Sequence, residues 1–176
     1  MNLIYSIPNK IYYIQNFLDY NSYKQLHKSV FKDPLSLKKA SETWDSGLLH
    51  GMKKSPDRID LDPSYIVLKK LNILLNTNPF CKINKKEIEF VLHSMKDGAG
   101  INWHDDGNYK FGITYYINRR WNLLFGGEFL FTSETQNGFI PLVGNSLVIV
   151  KPPLVHKVAS VMKPLVPRKT IQIFIS

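Results

Sequence analysis

The sequence predicts an α+β domain that is mainly β, a sandwich or jelly roll with supporting helices in its N-terminal part. Three observations point there. From about residue 87 onward, short runs of β-branched and aromatic residues alternate with turns rich in Gly, Pro and Asn. Two stretches with helical apolar spacing precede them, an order that suits helices gathered on one side of a sheet. The length of 176 residues, with 44% apolar and 12% aromatic content, suits one domain with a real core. The expected layout is therefore a single domain over 1–176, with helix-rich support over about 1–80 and a β core over about 87–176.

In chain order, Ile11–Gln15 is a β-branched and aromatic run that reads as a strand. Asp19 is an acceptable N-cap, and Tyr23, Leu26 and Val30 follow at helical spacing, giving an amphipathic helix to about Phe31. Residues 33–62 carry Pro34, Pro56 and many polar side chains around an isolated Trp44. They read as a long surface excursion with Trp44 tucked onto the core, the alternative being a substrate-covering lid. Asp62-Pro63 is a cap with proline at the first helical position. A helix over 64–76 then places Leu68, Leu71 and Leu75 on one stripe, and Asn76-Thr77-Asn78-Pro79 ends it. The strands expected after that lie at 87–95, 111–118, 128–132, 145–150, 156–161 and 170–175.

No apolar stretch is long enough to span a bilayer, and residues 1–10 lack the pattern of a secretory signal. A single cysteine, Cys81, excludes an internal disulfide framework and fits a reducing, cytoplasmic setting; it reads as a small buried or half-buried hydrophobe. The net charge of +9 suggests nucleic acid. Against that, the Lys pairs are scattered along the chain, and Lys, Asn, Ile, Tyr and Phe are all plentiful, which makes the charge compositional.

The chemistry-bearing stretch is Ile101-Asn102-Trp103-His104-Asp105-Asp106-Gly107. In an extended segment His104 and Asp106 point the same way, and imidazole plus carboxylate suits a divalent ion. The bland alternative is a loop His capped by an Asp. Downstream come Gly126-Gly127-Glu128, the turn Pro141-Leu142-Val143-Gly144-Asn145, then His156, and Arg168 twelve residues beyond it. His27, His50 and His93 lack an acid two residues on; His93 is a candidate to line the same pocket.

Taken in order, NWHDDG, TYYIN, GGEFLF, IPLVGNSLVIV, HKV and RKTIQIF resemble the Fe(II)/2-oxoglutarate dioxygenase superfamily, prolyl 4-hydroxylase-like branch, over about residues 87–176. The resemblance implies a double-stranded β-helix with the metal in its open mouth. It implies that His104, Asp106 and His156 hold Fe(II) as the catalytic centre, with 2-oxoglutarate and O2 as cosubstrates. Arg168 would pair with the distal carboxylate of 2-oxoglutarate as a planar two-bond fork, with Tyr116 and Thr114 on the same wall. The family sets its basic residue a little closer to the second His, so residues 161–167 must bulge, and Lys163 and Lys169 are the fallbacks. Gly126-Gly127 reads as a tight turn with no chemistry of its own. Relatives often carry a pocket tyrosine where this chain has His93-Ser94.

The implied reaction is hydroxylation of a C–H bond of a peptidyl proline or another amino-acid side chain, so the expected partner is a peptide, protein or amino acid. On the substrate side the candidates are Trp121, Arg120 and Phe174. One competing reading is a nucleic-acid oxygenase of the demethylase type. That branch carries a second Arg where this chain has Phe174, which argues against it. The other is a non-enzymatic jelly-roll binding module with a residual metal site.

Overall fold

The structure, a computed structural model, describes residues 1–32, 37–62, 66–80 and 88–176. In chain order it runs β1 (Asn2–Ile7), β2 (Ile11–Gln15), α1 (Tyr20–Lys32), β3 (Lys38–Lys39), α2 (Ser46–Leu49), β4 (Asp57–Asp60), α3 (Ile66–Asn76), β5 (Ile88–Met95), β6 (Ile101–His104) and β7 (Phe111–Tyr116). It continues with β8 (Phe129–Thr132), β9 (Asn137–Ile140), β10 (Ser146–Val150), β11 (Val155–Val158) and β12 (Arg168–Ile175). Among the described residues these strands form two antiparallel sheets. The large one has the order β1-β2-β10-β7-β12-β5-β4-β3, and the small one β6-β11-β8-β9.

The large sheet has apolar partners on both faces, and side-chain alternation sorts them. Ile113 and Tyr115 of β7, Leu147 and Ile149 of β10, and Ile171, Ile173 and Ile175 of β12 face the helices. There they meet Leu26 and Val30 of α1 and Leu68, Leu71 and Leu75 of α3. Each such side chain contributes roughly 1.5–3 kcal/mol by leaving water. The opposite parity faces the small sheet: Val148 and Val150 of β10 meet Phe129 and Phe131 of β8. The same alternation makes Arg168, Thr170, Gln172 and Phe174 of β12 look into the space between the sheets.

Local polar contacts fix how the helices join. Asp19 caps α1 by accepting from the Ser22 backbone N–H at 3.0 Å, and Lys70 of α3 pairs with the same carboxylate. Asn145, in the left-handed region at φ 60°, donates to the Leu18 carbonyl and accepts from the Leu18 N–H and the Tyr115 hydroxyl. That one amide ties the entry to α1 onto the start of β10.

Three expectations need correction. Asn2–Ile7, a stretch the sequence assigned to no element, forms a strand, β1, with a register against β2 and an outer edge that leaves Leu3 and Ile4 about half exposed. The short run Asn137–Ile140 is also a strand, because Gly138 lies close beneath the Phe131 ring, where a Cβ would come within 2.5 Å of Cζ. The excursion read over 33–62 contains β3 and β4, and Arg58 and Asp60 of β4 stand opposite His93 and Val91 of β5. A charged Asp-Arg-Ile-Asp run does not look like a strand in isolation, yet charge is how proteins protect a sheet's edge from further pairing. Residues 33–36, the expected helix start at 63–65, including Pro63 of the Asp62-Pro63 cap, and 81–87, including Cys81, lie outside the described residues. No helix among those described is long and apolar enough to cross a membrane.

Candidate functional site

The site begins where β6 ends. His104 is its last residue, and His156 of β11 stands directly opposite it in the ladder. Adjacent antiparallel partners lie close enough for their side chains to meet, and the two imidazole centres are 4.2 Å apart. Asp106 arrives differently from the sequence reading. It lies beyond the strand with φ 54°, so a left-handed turn, not strand alternation, swings its carboxylate between the rings. Its Oδ1 is 3.6 Å from His104 Nε2 and its Oδ2 is 3.4 Å from His156 Nε2. One donor atom from each of the three lies within 4.8 Å of the others. Neighbouring Asp105 turns away, its Oδ1 accepting from the Gly107 N–H at 3.0 Å.

Both rings are held with the right nitrogen forward. His104 Nδ1 donates to the Asn102 carbonyl at 2.7 Å and His156 Nδ1 to the Leu154 carbonyl at 2.8 Å. A carbonyl can only accept, so Nδ1 carries a proton and Nε2 is the nitrogen turned toward Asp106 and toward a metal. Phe129 stacks on His156 at 4.9 Å and fixes the ring plane. Burial, then the neighbouring His156, pushes His104 below the ordinary imidazole range, which favours the neutral, ligating form. Burial pushes the Asp106 carboxyl up, but the hydrogen bond and charge of His156 outweigh it and hold the group in its ionised range. Two neutral imidazoles and one carboxylate on a shared centre are a donor set that fits a divalent transition metal, Fe(II) included.

Gly112 is a site residue that the sequence reading missed. A Cβ there would sit 2.3 Å from Asp106 Oδ2, so only glycine leaves room for the carboxylate against β7. An isolated glycine inside a strand run is the signal that could have found it.

The second half of the site is a polar row on the inner face of the large sheet. Register places Arg58, His93, Thr170 and Tyr116 side by side across β4, β5, β12 and β7, with Arg168 two residues before Thr170. Arg168 is fully buried. Its Nε donates to the Gly127 carbonyl at 2.9 Å, its guanidinium stacks over the Tyr116 ring at 5.4 Å, and Nη2 has no partner. Tyr116 Oη, Thr170 Oγ1 and both ring nitrogens of His93 are buried without partners as well. Among the described residues no carboxylate lies within ion-pair distance of Arg168. Burial pushes its guanidinium below the usual range and the Tyr116 phenol up to about 12. Buried hydrogen-bonding groups are ordinarily satisfied, and this cluster of donors fits an acidic, oxygen-rich ligand. Gly127 is more than a turn residue. With φ 79° its carbonyl reaches Arg168, and a Cβ would lie 2.8 Å from Arg168 Cδ.

A cavity of about 330 Å³ runs from the metal-competent group to the Arg58 and His93 end of this row, its wall including His93, Thr114, Gln172 and Phe174. Thr114 donates to Gln172 Oε1 at 2.8 Å on that wall. Phe174 stacks on Tyr109 at 4.6 Å. Arg168 and Tyr116 are buried in the neighbouring row rather than on the wall. Lys169 points to the other face, where its ammonium donates to the Val30 carbonyl at 2.7 Å, and Lys163 sits at φ 43° in the loop that bulges before β12. From the 33–62 segment, Trp44 meets His93 edge to face at 5.1 Å and, with Leu48, lines the cavity. Arg120 and Trp121 do not reach the wall: Trp121 donates to the Gly126 carbonyl at 2.8 Å and packs partly buried between the inter-sheet clusters.

No protein-family model matches the chain, and no curated protein sequence matches it. Solved structures do. A prolyl-4-hydroxylase from Pseudomonas putida superposes with a TM-score of 0.71 at 16% identity, over 94% of this chain and 91% of that one. A prolyl hydroxylase from Trichoplax adhaerens, in complex with a hypoxia inducible factor oxygen degradation domain peptide, gives 0.71 at 15% identity, over 95% and 83%. The collagen prolyl hydroxylase of Paramecium Bursaria Chlorella virus-1, as its 2OG complex, gives 0.61 at 14% identity, over 95% and 96%. At these identities the likeness shows the fold: this chain has the jelly roll of the 2OG-Fe(II) oxygenases.

Proposed function

We propose that this chain is an Fe(II)- and 2-oxoglutarate-dependent oxygenase that hydroxylates a C–H bond of a peptidyl proline or another amino-acid side chain. The observation that carries the proposal is the convergence of His104 Nε2, Asp106 and His156 Nε2 with both Nδ1 atoms committed to carbonyls. These three residues would hold the iron. When bound, iron with 2-oxoglutarate and O2 supplies oxidative decarboxylation coupled to hydroxylation, chemistry that belongs to the cofactor set.

The chain's own residues would bind, orient and exclude water. Arg168 offers an unpartnered Nη2 and Tyr116 an unpartnered hydroxyl to the distal carboxylate, with Thr114 on the adjoining wall. The Gly127 carbonyl holds the guanidinium by its Nε and the Met95 sulfur lies 3.5 Å from Nη1, leaving Nη2 free. Trp44, Leu48 and Phe129 keep the cavity wall apolar around the ligand group. Phe174, braced by Tyr109, is the proposed contact for the substrate. Arg120 and Trp121 are proposed contacts only for an extended peptide, since they stand off the wall. The peptide bound by the Trichoplax relative supports a peptide as the substrate class.

The test is succinate release from 2-oxoglutarate by the Fe(II)-loaded protein, with Pro-rich peptides first and free amino acids and methylated oligonucleotides in parallel. Turnover stimulated by a peptide or amino acid is the expected result. Stimulation by the oligonucleotide alone would move the protein to the nucleic-acid reading.

A further inference from the structure

His93 is the most exacting feature that the proposed function leaves unused. It sits in the middle of β5 at 2% exposure, and both ring nitrogens lack partners. Register puts Thr170, whose hydroxyl is also unpartnered, directly beside it, and Tyr116 one strand further. The ring forms part of the cavity wall together with His104, Asp106 and His156. Trp44, held edge to face against it, fixes the ring plane from outside. A histidine kept only for packing would be replaced at no loss by an apolar residue, since each unmet buried nitrogen costs stability. Burial, reinforced by Arg58 and Arg168, pushes the imidazole down to about 3, so it offers one donor and one acceptor near neutral pH.

We propose that His93 is a binding residue for the cosubstrate, donating a hydrogen bond from one ring nitrogen to an oxygen of bound 2-oxoglutarate while Trp44 sets the ring's orientation. The other nitrogen accepts from the Thr170 hydroxyl when that side chain turns toward it. This rests on the cosubstrate reading above and adds a contact between the Arg168 anchor and the metal ligands.

Binding is measured without turnover, by titrating the Zn(II)-loaded protein with 2-oxoglutarate in a calorimeter. His93→Leu is expected to weaken 2-oxoglutarate binding about tenfold and leave Zn(II) affinity unchanged. His93→Asn or His93→Gln, which keep an N–H near one or the other ring nitrogen, is expected to restore most of it, and the one that does identifies the donor. A second measurement uses the unaltered protein: the ring ¹⁵N resonances of His93 shift as 2-oxoglutarate saturates the Zn(II) form. A folded His93→Leu protein that binds 2-oxoglutarate like the parent overturns the proposal. So do His93 resonances that stay fixed at saturation, whether or not the leucine variant folds. An unaltered protein that takes Zn(II) but no 2-oxoglutarate removes the underlying cosubstrate reading instead.

Discussion

Gly112→Ala separates the site from the fold with a single methyl group. The added Cβ would stand 2.3 Å from Asp106 Oδ2, where ordinary contact begins near 3.4 Å. The next nearest atoms, Cγ at 3.2 Å and Cβ at 3.7 Å, belong to the same aspartate. Something must therefore move by about 1 Å, and what yields is the free end of a side chain, not backbone. Gly112 is also not among the residues with positive φ, so alanine meets no backbone strain there. The stability effect should be within about 1 kcal/mol, or roughly 2–4 °C in melting temperature for a chain of this size. Metal binding has no such tolerance, since ligand positions must hold to about 0.2 Å. Swinging one of three ligands away by about 1 Å should lower divalent metal affinity roughly 100-fold. The assay pairs a thermal melt with Ni(II) or Co(II) titration. A folded Gly112→Ala protein with parental metal affinity would show that Asp106 is not a ligand. A protein that fails to fold would show that β7 cannot give at this point.

Three further outcomes follow from the same geometry. His156→Ala should abolish tight metal binding and turnover while His27→Ala, outside the cavity, does not; retained affinity in the former would remove His156 from the ligand set. Arg168→Ala should raise the 2-oxoglutarate requirement by about 1.5–3 kcal/mol, a charge-assisted bond in a buried setting, while Lys169→Ala has little effect because its ammonium is engaged at the Val30 carbonyl; saturation curves showing the reverse ranking would refute this. His93 is depressed to about 3 in the folded chain against 6.5 when unfolded, so its contribution to stability is fully present above about pH 6.5 and is lost as pH falls toward 3. The slope from this fully buried group approaches about 1.4 kcal/mol per pH unit, and urea unfolding of His93→Leu beside the parent should show a flatter acid limb. Parallel limbs would mean that His93 is protonated or solvated in the folded state.

What the sequence made legible was what depends on local alternation. The β12 run Arg168–Ile175 shows it best: its even positions carry Arg, Thr, Gln and Phe, its odd positions after Lys169 three isoleucines, and the structure sends these sets to opposite faces. The helices were legible because Leu26 and Val30, and Leu68, Leu71 and Leu75, repeat at helical spacing. The edges were not. β1, β4 and β9 exist because a neighbouring strand offers a ladder, and nothing in Asp-Arg-Ile-Asp or Asn-Gly-Phe-Ile says so alone. Within the site, the pairing of His104 with His156 is a long-range register, and the place of Asp106 depends on a left-handed turn that strand parity does not contain. The space at Gly112 and Gly127 is a property of two surfaces meeting, invisible until both are built.

The buried row also bears on why this chain keeps an expensive arrangement. A fully buried guanidinium with Nη2 unpaired and only the Met95 sulfur near Nη1, beside a tyrosine hydroxyl, a threonine hydroxyl and an imidazole with nothing to bind, weakens the fold. Hydrophobic residues of similar size would close the same space between the sheets, as Val148, Val150, Phe129 and Phe131 do on the neighbouring strands. Among the described residues, every buried side-chain atom left without a partner except Asn76 Oδ1 belongs to this group. Thr170, Tyr116 and His93 share one cross-strand row, and Arg168 lies two residues before Thr170 on the same strand face. A folding defect would have no reason to collect on one sheet face next to a convergent His-Asp-His group. A diacid would satisfy the row at one stroke: a carboxylate for Arg168 and Tyr116, and further oxygens for His93 and Thr170. The apo protein should accordingly gain melting temperature from 2-oxoglutarate by mass action, and Arg168→Met, which removes the buried charge but keeps its bulk, should be at least as stable as the parent without ligand and gain nothing from adding it. If Arg168→Met melts well below the parent in the absence of any ligand, the guanidinium is a structural brace and the row needs no diacid to explain it.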